Sequence, residues 1–222
     1  MVEMKKVFLS NITFHAWAEN INEQINIFRQ FDIDGIEVAF KRVEDLTKLT
    51  EENKEFLRSF EFNSMHAPFR EKYDSEEIFD RIKKTAEEIN AKNIVFHPQE
   101  SLKNKNINAT IENQKEKEPL TQELMDRDKK FKLCFDVSHT DTTGETEKLL
   151  KKYFDRIAEI HFSANSEDKR HVPLVNAKPG FFDNLSEIKR LDVPFVLEAR
   201  YLPGDIETIK KDIELARKWL NS

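Results

Sequence analysis

Residues 132–139 read KLCFDVSH, a short β-prone segment that ends in an acidic residue, Asp136, and is followed three positions later by His139. Seven other segments have the same character, with apolar and β-branched residues in the strand and a polar residue at or near its end. The eight predicted strands are Val7–Phe14, Gly35–Phe40, Phe62–His66, Asn93–His97, Ala109–Glu112, Lys132–Asp136, Glu159–Ser163 and Pro194–Glu198.

Amphipathic segments separate most of these strands, and five are predicted as helices: Ala18–Phe31, Val43–Phe60, Ser75–Ala91, Glu145–Ile157 and Ile206–Leu220. Alternating strands and helices favour parallel pairing, because a parallel return needs a crossover of a dozen or more residues. We therefore expect an α/β protein in which residues 1–222 form a single (β/α)8 TIM barrel domain, although an open doubly wound sheet also fits the alternation. Only 15 residues separate the ends of the fourth and fifth strands, so the fourth helix is predicted to be reduced.

Composition excludes several classes of protein. The 36 basic and 42 acidic side chains leave a formal charge of −6, which gives no overall attraction to nucleic acids or anionic membranes. The four glycines are too far apart for a GxGxxG or GxxxxGK loop, so no nucleotide cofactor of those kinds is expected. The single cysteine, Cys134, allows neither an internal disulfide nor a multi-cysteine metal cluster. No apolar run exceeds three residues, so we expect no membrane span or secretory segment and predict a cytoplasmic location.

Histidines concentrate at the predicted strand ends. Four of the six lie there, several times the number that random placement predicts: His66, His97, His139 and His161. His15 follows the first strand, and His171 lies in the loop after the seventh. Since the C-terminal ends of all strands in such a barrel meet at one face, these side chains are expected near each other. A buried polar group there is costly unless it is paired or bound to a metal.

Acidic residues occupy the remaining strand ends, with Glu112, Asp136 and Glu198 closing the fifth, sixth and eighth strands and Glu37 near the end of the second. Three converging carboxylates would repel each other and raise one another's pKa unless a cation lies between them. Imidazoles and carboxylates together are ligands for zinc, manganese, cobalt or iron. The sequence therefore predicts a divalent metal held by the carboxylates of Glu112, Asp136 and Glu198 and by the imidazole of His161.

Seven short motifs give the chain a recognisable pattern: HAPF at His66, FHP at His97, IEN at Glu112, FDVSH from Asp136 to His139, IHFS at His161, HVPL at His171 and LEA at Glu198. Their order and spacing resemble those of the xylose isomerase-like TIM barrels. That superfamily includes sugar-phosphate isomerases and epimerases and the type IV apurinic endonucleases. The resemblance covers most of the chain and concerns the superfamily more than any one activity.

For an isomerase or epimerase, the resemblance implies one divalent ion (zinc, manganese or cobalt) held by Glu112, Asp136, His161 and Glu198. Glu112 and Glu198 would move protons on opposite faces of a metal-bound enediolate, and His139 would hydrogen-bond a substrate oxygen. The expected substrate is a sugar or sugar phosphate. Four further residues are candidates for binding it: Glu37, His15, Lys169 and Arg170.

For an endonuclease, the resemblance implies three zinc ions and abasic DNA as substrate. His66, His97, His139 and His171 then join Glu112, Asp136, His161 and Glu198 as ligands, so that eight of nine ligand positions match. The ninth, normally an aspartate, is Lys169, whose charge would repel a third cation. A metal-binding barrel without catalysis, or an enzyme acting on another hydroxycarbonyl compound, also fits. The sequence leaves the oligomeric state open.

Overall fold

The structure is a computed structural model that describes residues 5–105, 107–141 and 146–222. Eight parallel strands form a closed barrel, in which each strand pairs with the next and the last pairs with the first. The strands are β1 (Val7–Ser10), β2 (Gly35–Ala39), β3 (Phe62–His66), β4 (Asn93–Phe96), β5 (Thr110–Glu112), β6 (Lys132–Asp136), β7 (Ile157–Phe162) and β8 (Phe195–Leu197). This closure confirms the predicted (β/α)8 barrel and rules out the open sheet.

Helices cover the outside of the barrel: α1 (Ile21–Phe28), α2 (Glu51–Arg58), α3 (Glu76–Glu88), α4 (Glu118–Arg127), α5 (Val137–Asp141), α6 (Thr146–Tyr153) and α7 (Ile206–Leu220). Between β4 and β5 the connection contains only the 3-10 turn Glu100–Asn104, which confirms the reduced fourth helix. The connection from β7 to β8 contains three short 3-10 turns. In the described part of the chain, no helix has the length and apolar character needed to cross a membrane.

The bounds of two predicted elements differ from the observed ones because a side chain caps a new helical turn inside the predicted segment. β1 ends at Ser10 rather than Phe14, since the Ser10 hydroxyl accepts a hydrogen bond from the backbone N–H of Ile12 and starts a 3-10 turn. The segment predicted as one helix over Val43–Phe60 is a 3-10 turn followed by α2. Thr50 separates the two, because its hydroxyl accepts a hydrogen bond at the start of α2.

The helix predicted over Glu145–Ile157 also differs. Glu145 lies outside the described residues, and α6 ends at Tyr153. A 3-10 turn, Phe154–Arg156, leads from α6 into β7, so Ile157 belongs to a strand.

Packing in the barrel wall is tight at its N-terminal end. A Cβ atom on Gly35 would lie 1.9 Å from a ring carbon of Phe8 and 2.5 Å from the carbonyl oxygen of Phe62. Only glycine therefore fits between β1 and β3 at this level. Large buried rings fill the space between the strands and the helices, while polar side chains occupy the interior near the C-terminal end, where the candidate site lies.

Candidate metal centre

The C-terminal ends of β5 to β8 bring four ionisable side chains together in the mouth of the barrel. Glu112 and Asp136 are the last residues of β5 and β6, His161 is next to last in β7, and Glu198 follows β8 directly. One ligand atom from each lies within 4.8 Å of the others. None of the four is more than 6 % exposed, so this four-residue cluster can surround a small ion.

Glu112 connects the four-residue cluster to further histidines. Its Oε2 lies 3.1 Å from Nε2 of His66 and 3.0 Å from Nε2 of His97. Its Oε1 lies 3.5 Å from Nδ1 of His139 and 3.8 Å from Nδ1 of His161. Burial alone would raise the pKa of Glu112, but the charge of His97 and hydrogen bonds from the imidazoles lower it well below its usual value. Glu112 is thus a stable anion at the centre of the site.

Two imidazoles are fixed through the ring nitrogen that faces away from the cluster. Nδ1 of His66 donates to a backbone oxygen at 2.9 Å, and Nε2 of His161 donates to the carboxylate of Glu37 at 3.0 Å. In the neutral form of each ring, the other nitrogen directs a lone pair at a carboxylate, which for His161 is Glu198 Oε2 at 2.6 Å. Burial lowers the pKa of His66, but the neighbouring carboxylates accordingly raise it to about 9. Facing lone pairs repel unless a proton or cation binds between them. This is the arrangement of metal-binding histidines, whose second nitrogen donates to a carbonyl or carboxylate.

Three buried atoms of the four-residue cluster form no hydrogen bond of acceptable geometry, although two of them, His161 Nδ1 and Glu198 Oε2, lie only 2.6 Å apart; the third is Asp136 Oδ2. Buried polar atoms are normally paired, so three in one place indicate a binding site. Burial lowers the pKa of His161, but Cys134, Glu198 and Glu37 raise it well above its usual value, so the surroundings favour positive charge on this ring. A divalent ion held by the four-residue cluster would satisfy all three atoms, and the oxygen and imidazole donors fit zinc, manganese or cobalt.

Three further groups of side chains that could ligate a metal adjoin the cluster in the described residues, and one of them, Glu37, Glu159 and His161, lies inside the barrel below the mouth. The other two lie at the mouth. His66, His97 and Glu112 form one, and Asp136, His139 and His171 form the other, each with ligand atoms within 4.8 Å. The structure thus brings together all seven residues predicted as metal ligands.

His139 is held in place by its neighbours in the first turn after β6. Its backbone N–H donates to Asp136 Oδ1 at 3.1 Å, and its Nδ1 donates to the backbone oxygen of Asn113 at 2.7 Å. The Nε2 atom therefore stays available for another partner. Burial lowers the pKa of His139, but the charges of Asp136 and Glu112 raise it above its usual value.

Glu37 lies below the mouth, not at it. Because β2 continues to Ala39, two residues beyond Glu37, this side chain is inside the barrel and 0 % exposed. It accepts hydrogen bonds from the Ser10 hydroxyl at 2.8 Å and from His161. The position does not suit the predicted contact with substrate, and Glu37 instead orients His161.

Glu159 is a buried acid that the sequence reasoning did not select. It accepts hydrogen bonds from the Ser64 hydroxyl at 2.7 Å and from the Asn93 amide at 3.1 Å. Burial and the charge of Glu37 raise its pKa to about 7. Its position two residues before His161, which places both side chains on the same face of β7, is the signal that could have identified it.

The other predicted substrate-binding residues lie around the mouth. His15 follows β1, and burial together with the charge of Lys41 lowers its pKa to about 4, so its ring is neutral at pH 7. Lys169 and Arg170 line a cavity of about 520 Å³. Arg170 also forms an ion pair with Glu116 at 3.2 Å.

Proteins of known structure share the fold of this chain at a low level of sequence identity. No protein-family model and no curated protein matches the sequence. A D-tagatose 3-epimerase-like protein of known structure is 17% identical, with a TM-score of 0.70 over 97% of both chains. A probable 3-DHS dehydratase from Bacillus anthracis is 15% identical, with a TM-score of 0.67 over 98% of this chain and 99% of the other. Endonuclease IV from Thermus thermophilus is 14% identical, with a TM-score of 0.65 over 98% of this chain and 99% of the other.

At these identities the likeness concerns the three-dimensional fold, and it agrees with the resemblance carried by the strand-end motifs. The chain has the fold of the xylose isomerase-like TIM barrels.

Proposed function

We propose that the protein is a metal-dependent isomerase or epimerase that acts on a sugar or sugar phosphate. The observation that carries this proposal is the buried convergence of Glu112, Asp136, His161 and Glu198, in which three ligand atoms form no hydrogen bond of acceptable geometry. The name of the D-tagatose 3-epimerase-like protein supports this class of reaction on the same fold.

A divalent ion held by the four-residue cluster would supply Lewis acidity, which makes the carbon beside a substrate carbonyl more acidic. The protein itself provides the carboxylates that move the proton. Glu198 lines a cavity of about 490 Å³ and therefore meets a substrate that enters from solvent. Glu112 approaches from β5, on the other side of the four-residue cluster. Two carboxylates on opposite sides can remove a proton from one face of a carbon and return it to the other, a contribution of roughly 10²- to 10⁴-fold.

The histidines around these carboxylates keep them ionised and provide a hydrogen-bond donor. Contacts from His66 and His97 hold the pKa of Glu112 low, so this group stays a carboxylate at neutral pH. His139 lines the cavity beside α5 with its Nδ1 already committed to a backbone oxygen. Its Nε2 is suited to bind a hydroxyl or carbonyl oxygen of the substrate.

The test is proton exchange at carbon. Untagged protein is analysed for metal, stripped, reloaded with manganese, cobalt or zinc, and incubated in D2O with a panel of ketoses and their phosphates while proton NMR follows the signal beside the carbonyl. We expect exchange with about one metal ion per chain, and a loss of at least about 100-fold in Glu112→Gln and Glu198→Gln. Glu207→Gln, which alters an exposed acid on α7, is the matched control. Full activity of Glu112→Gln, or no exchange with any ketose, would contradict the proposal.

A second candidate is a zinc-dependent phosphodiesterase acting on abasic DNA. It is favoured by the two additional ligand groups around Glu112 and Asp136 and opposed by Lys169 at the ninth ligand position. Three tightly held zinc ions and cleavage of an abasic oligonucleotide that is lost in His171→Ala would select this function. Bound metal without turnover of either substrate would select a non-catalytic barrel.

A further inference from the structure

Three basic side chains stand at the mouth of the barrel without an acidic partner. Within residues 5–105, 107–141 and 146–222, no carboxylate forms an ion pair with Lys41, Arg70 or Arg200. All three line the 490 Å³ cavity that also contains Glu198. We call these three residues the basic rim.

The lysines at the opposite end of the barrel behave differently. A cavity of about 300 Å³ there is lined by Lys5 and Lys6. Lys5 lies 3.8 Å from Asp192, and Lys6 lies 2.8 Å from Glu61. The basic rim therefore differs from other basic surface of this acidic protein, in which lysines and arginines commonly face carboxylates.

The barrel topology places Lys41 and Arg70 on the side of the mouth away from the four-residue cluster, while Arg200 follows β8 two residues after Glu198. Lys41, Arg70 and Arg200 follow β2, β3 and β8, and with β1 these strands form one continuous side of the wall. The four-residue cluster comes from β5 to β8. Backbone hydrogen bonds fix the loops: the N–H of Arg70 donates to Lys41 at 3.3 Å, and the N–H of Arg200 donates to His171 at 2.7 Å. A ligand that crosses the mouth can thus contact both sets of groups.

Two uncharged rings, those of Phe69 and His15, lie between the basic rim and the metal-binding side chains. The ring of Phe69 lies 5.6 Å from that of His15 and 6.0 Å from that of His97, measured between centroids. His15 lines the same cavity as the basic rim, and burial together with the charges of Lys41 and Arg70 lowers its pKa to about 4. Because the His15 ring is uncharged at neutral pH, the positive charge of this cavity comes from the basic rim. The neutral ring can still form a hydrogen bond with a hydroxyl group.

We infer that the basic rim binds a phosphate group at the far end of the substrate, whose hydroxycarbonyl end reaches the four-residue cluster. The inference rests on the proposed function and narrows its substrate to a phosphorylated sugar. Three cations from three strands suit a group with several charged oxygens, to which arginines form strong charge-assisted hydrogen bonds. Unpaired positive charge also concentrates anions at the mouth. Arg170, a sequence-based candidate for this role, already contacts Glu116.

The experiment measures binding, so that it does not depend on turnover. Calorimetry compares a ketose with the same ketose carrying a terminal phosphate, on the wild type and on the double variant Lys41→Gln, Arg200→Gln. We expect the wild type to bind the phosphorylated ketose at least about tenfold more tightly, because several charge-assisted hydrogen bonds act on one phosphate and each contributes up to about fivefold at an exposed site. The double variant is expected to lose this preference while its affinity for the plain ketose stays within about twofold. Lys6→Gln, which removes one charge at the opposite end of the barrel, is expected to keep the preference.

The outcomes separate the inference from the proposed function. Equal binding of both ketoses by the wild type, or an equal loss for both in the double variant, overturns the inference while D2O exchange continues to test the reaction. A charge-dependent preference without any exchange supports the phosphate site and rejects the isomerase. A keto acid that binds as tightly as the phosphate overturns the choice of phosphate. An abasic oligonucleotide that needs the basic rim, with no preference between the ketoses, overturns the small-molecule ligand in favour of DNA.

Discussion

Replacing Glu37 by glutamine is expected to weaken metal binding while leaving the barrel folded. Glu37 is 0 % exposed and holds Nε2 of His161 at 3.0 Å. Glutamine retains an oxygen that can accept this hydrogen bond, but it removes the negative charge. The charge of a carboxylate partner makes the imidazole a better ligand through its other nitrogen, so Nδ1 of His161 becomes a weaker donor in Glu37→Gln.

The size of the effect follows from this contact. Loss of a partner behind a metal-binding histidine typically lowers metal affinity by about 10- to 100-fold, which corresponds to about 1.4 to 2.7 kcal/mol. Because glutamine preserves the hydrogen bond, only the effect of the charge is lost. We therefore expect about a 10-fold to 30-fold reduction in Glu37→Gln, at the lower end of that range.

The assay is competition with a chromophoric chelator for zinc and for manganese, with circular dichroism to confirm the fold of each variant. Ser10→Ala is the control, because it removes the other hydrogen bond to Glu37, at 2.8 Å, and leaves the charge in place. We expect this control to stay within about threefold of the wild type. Metal affinity of Glu37→Gln within about twofold of the wild type, or an equal loss in Ser10→Ala, would refute the reasoning.

Three other predictions concern stability. Asp212→Ala removes the acceptor of two backbone N–H groups at 2.8 and 2.9 Å and of the Tyr201 hydroxyl at 2.7 Å, so urea unfolding should show a loss of about 3 kcal/mol; an unchanged midpoint would contradict this. Gly35→Ala would place a methyl group 1.9 Å from the ring of Phe8 and 2.5 Å from the backbone oxygen of Phe62. The same assay should show a loss of about 2 to 3 kcal/mol, and stability equal to that of the wild type would refute this packing argument. Since burial lowers the pKa of His15 from 6.5 to about 4, the unfolded chain binds more protons between these values. Stability should therefore fall as pH falls from 6.5 toward 4, and less steeply in His15→Gln; identical pH profiles would argue against this.

The fold could be predicted from the spacing of its strands, but several element boundaries could not. Periodicity runs without interruption through Val43–Phe60, yet Thr50 divides this segment because its hydroxyl offers a new helix start. Ser10 ends β1 by the same kind of local hydrogen bond. In both cases the hydrophobic pattern predicts that an element exists, whereas a single side-chain contact decides where it ends.

Part of the site follows from the sequence because parallel strands end at the same rim. Glu112 and Asp136 are the last residues of their strands, and the structure brings them together as expected. Glu37 was expected near the rim, but it lies two residues below the end of β2, a drop of about 7 Å at roughly 3.3 Å per residue. The loops that carry the basic rim are held by backbone hydrogen bonds between distant parts of the chain, Arg70 to Lys41 and Arg200 to His171, for which a single sequence carries no signal.

The only thiol of the chain reports on the barrel itself. Cys134 lies in β6 and is 0 % exposed, and burial raises its pKa well above the usual value. Alkylating and oxidising reagents attack a solvent-accessible thiolate, so this sulfur is inert while β6 keeps its place between β5 and β7. The rate at which a thiol reagent labels Cys134 therefore measures how often the barrel wall opens locally, and no probe has to be engineered into the protein.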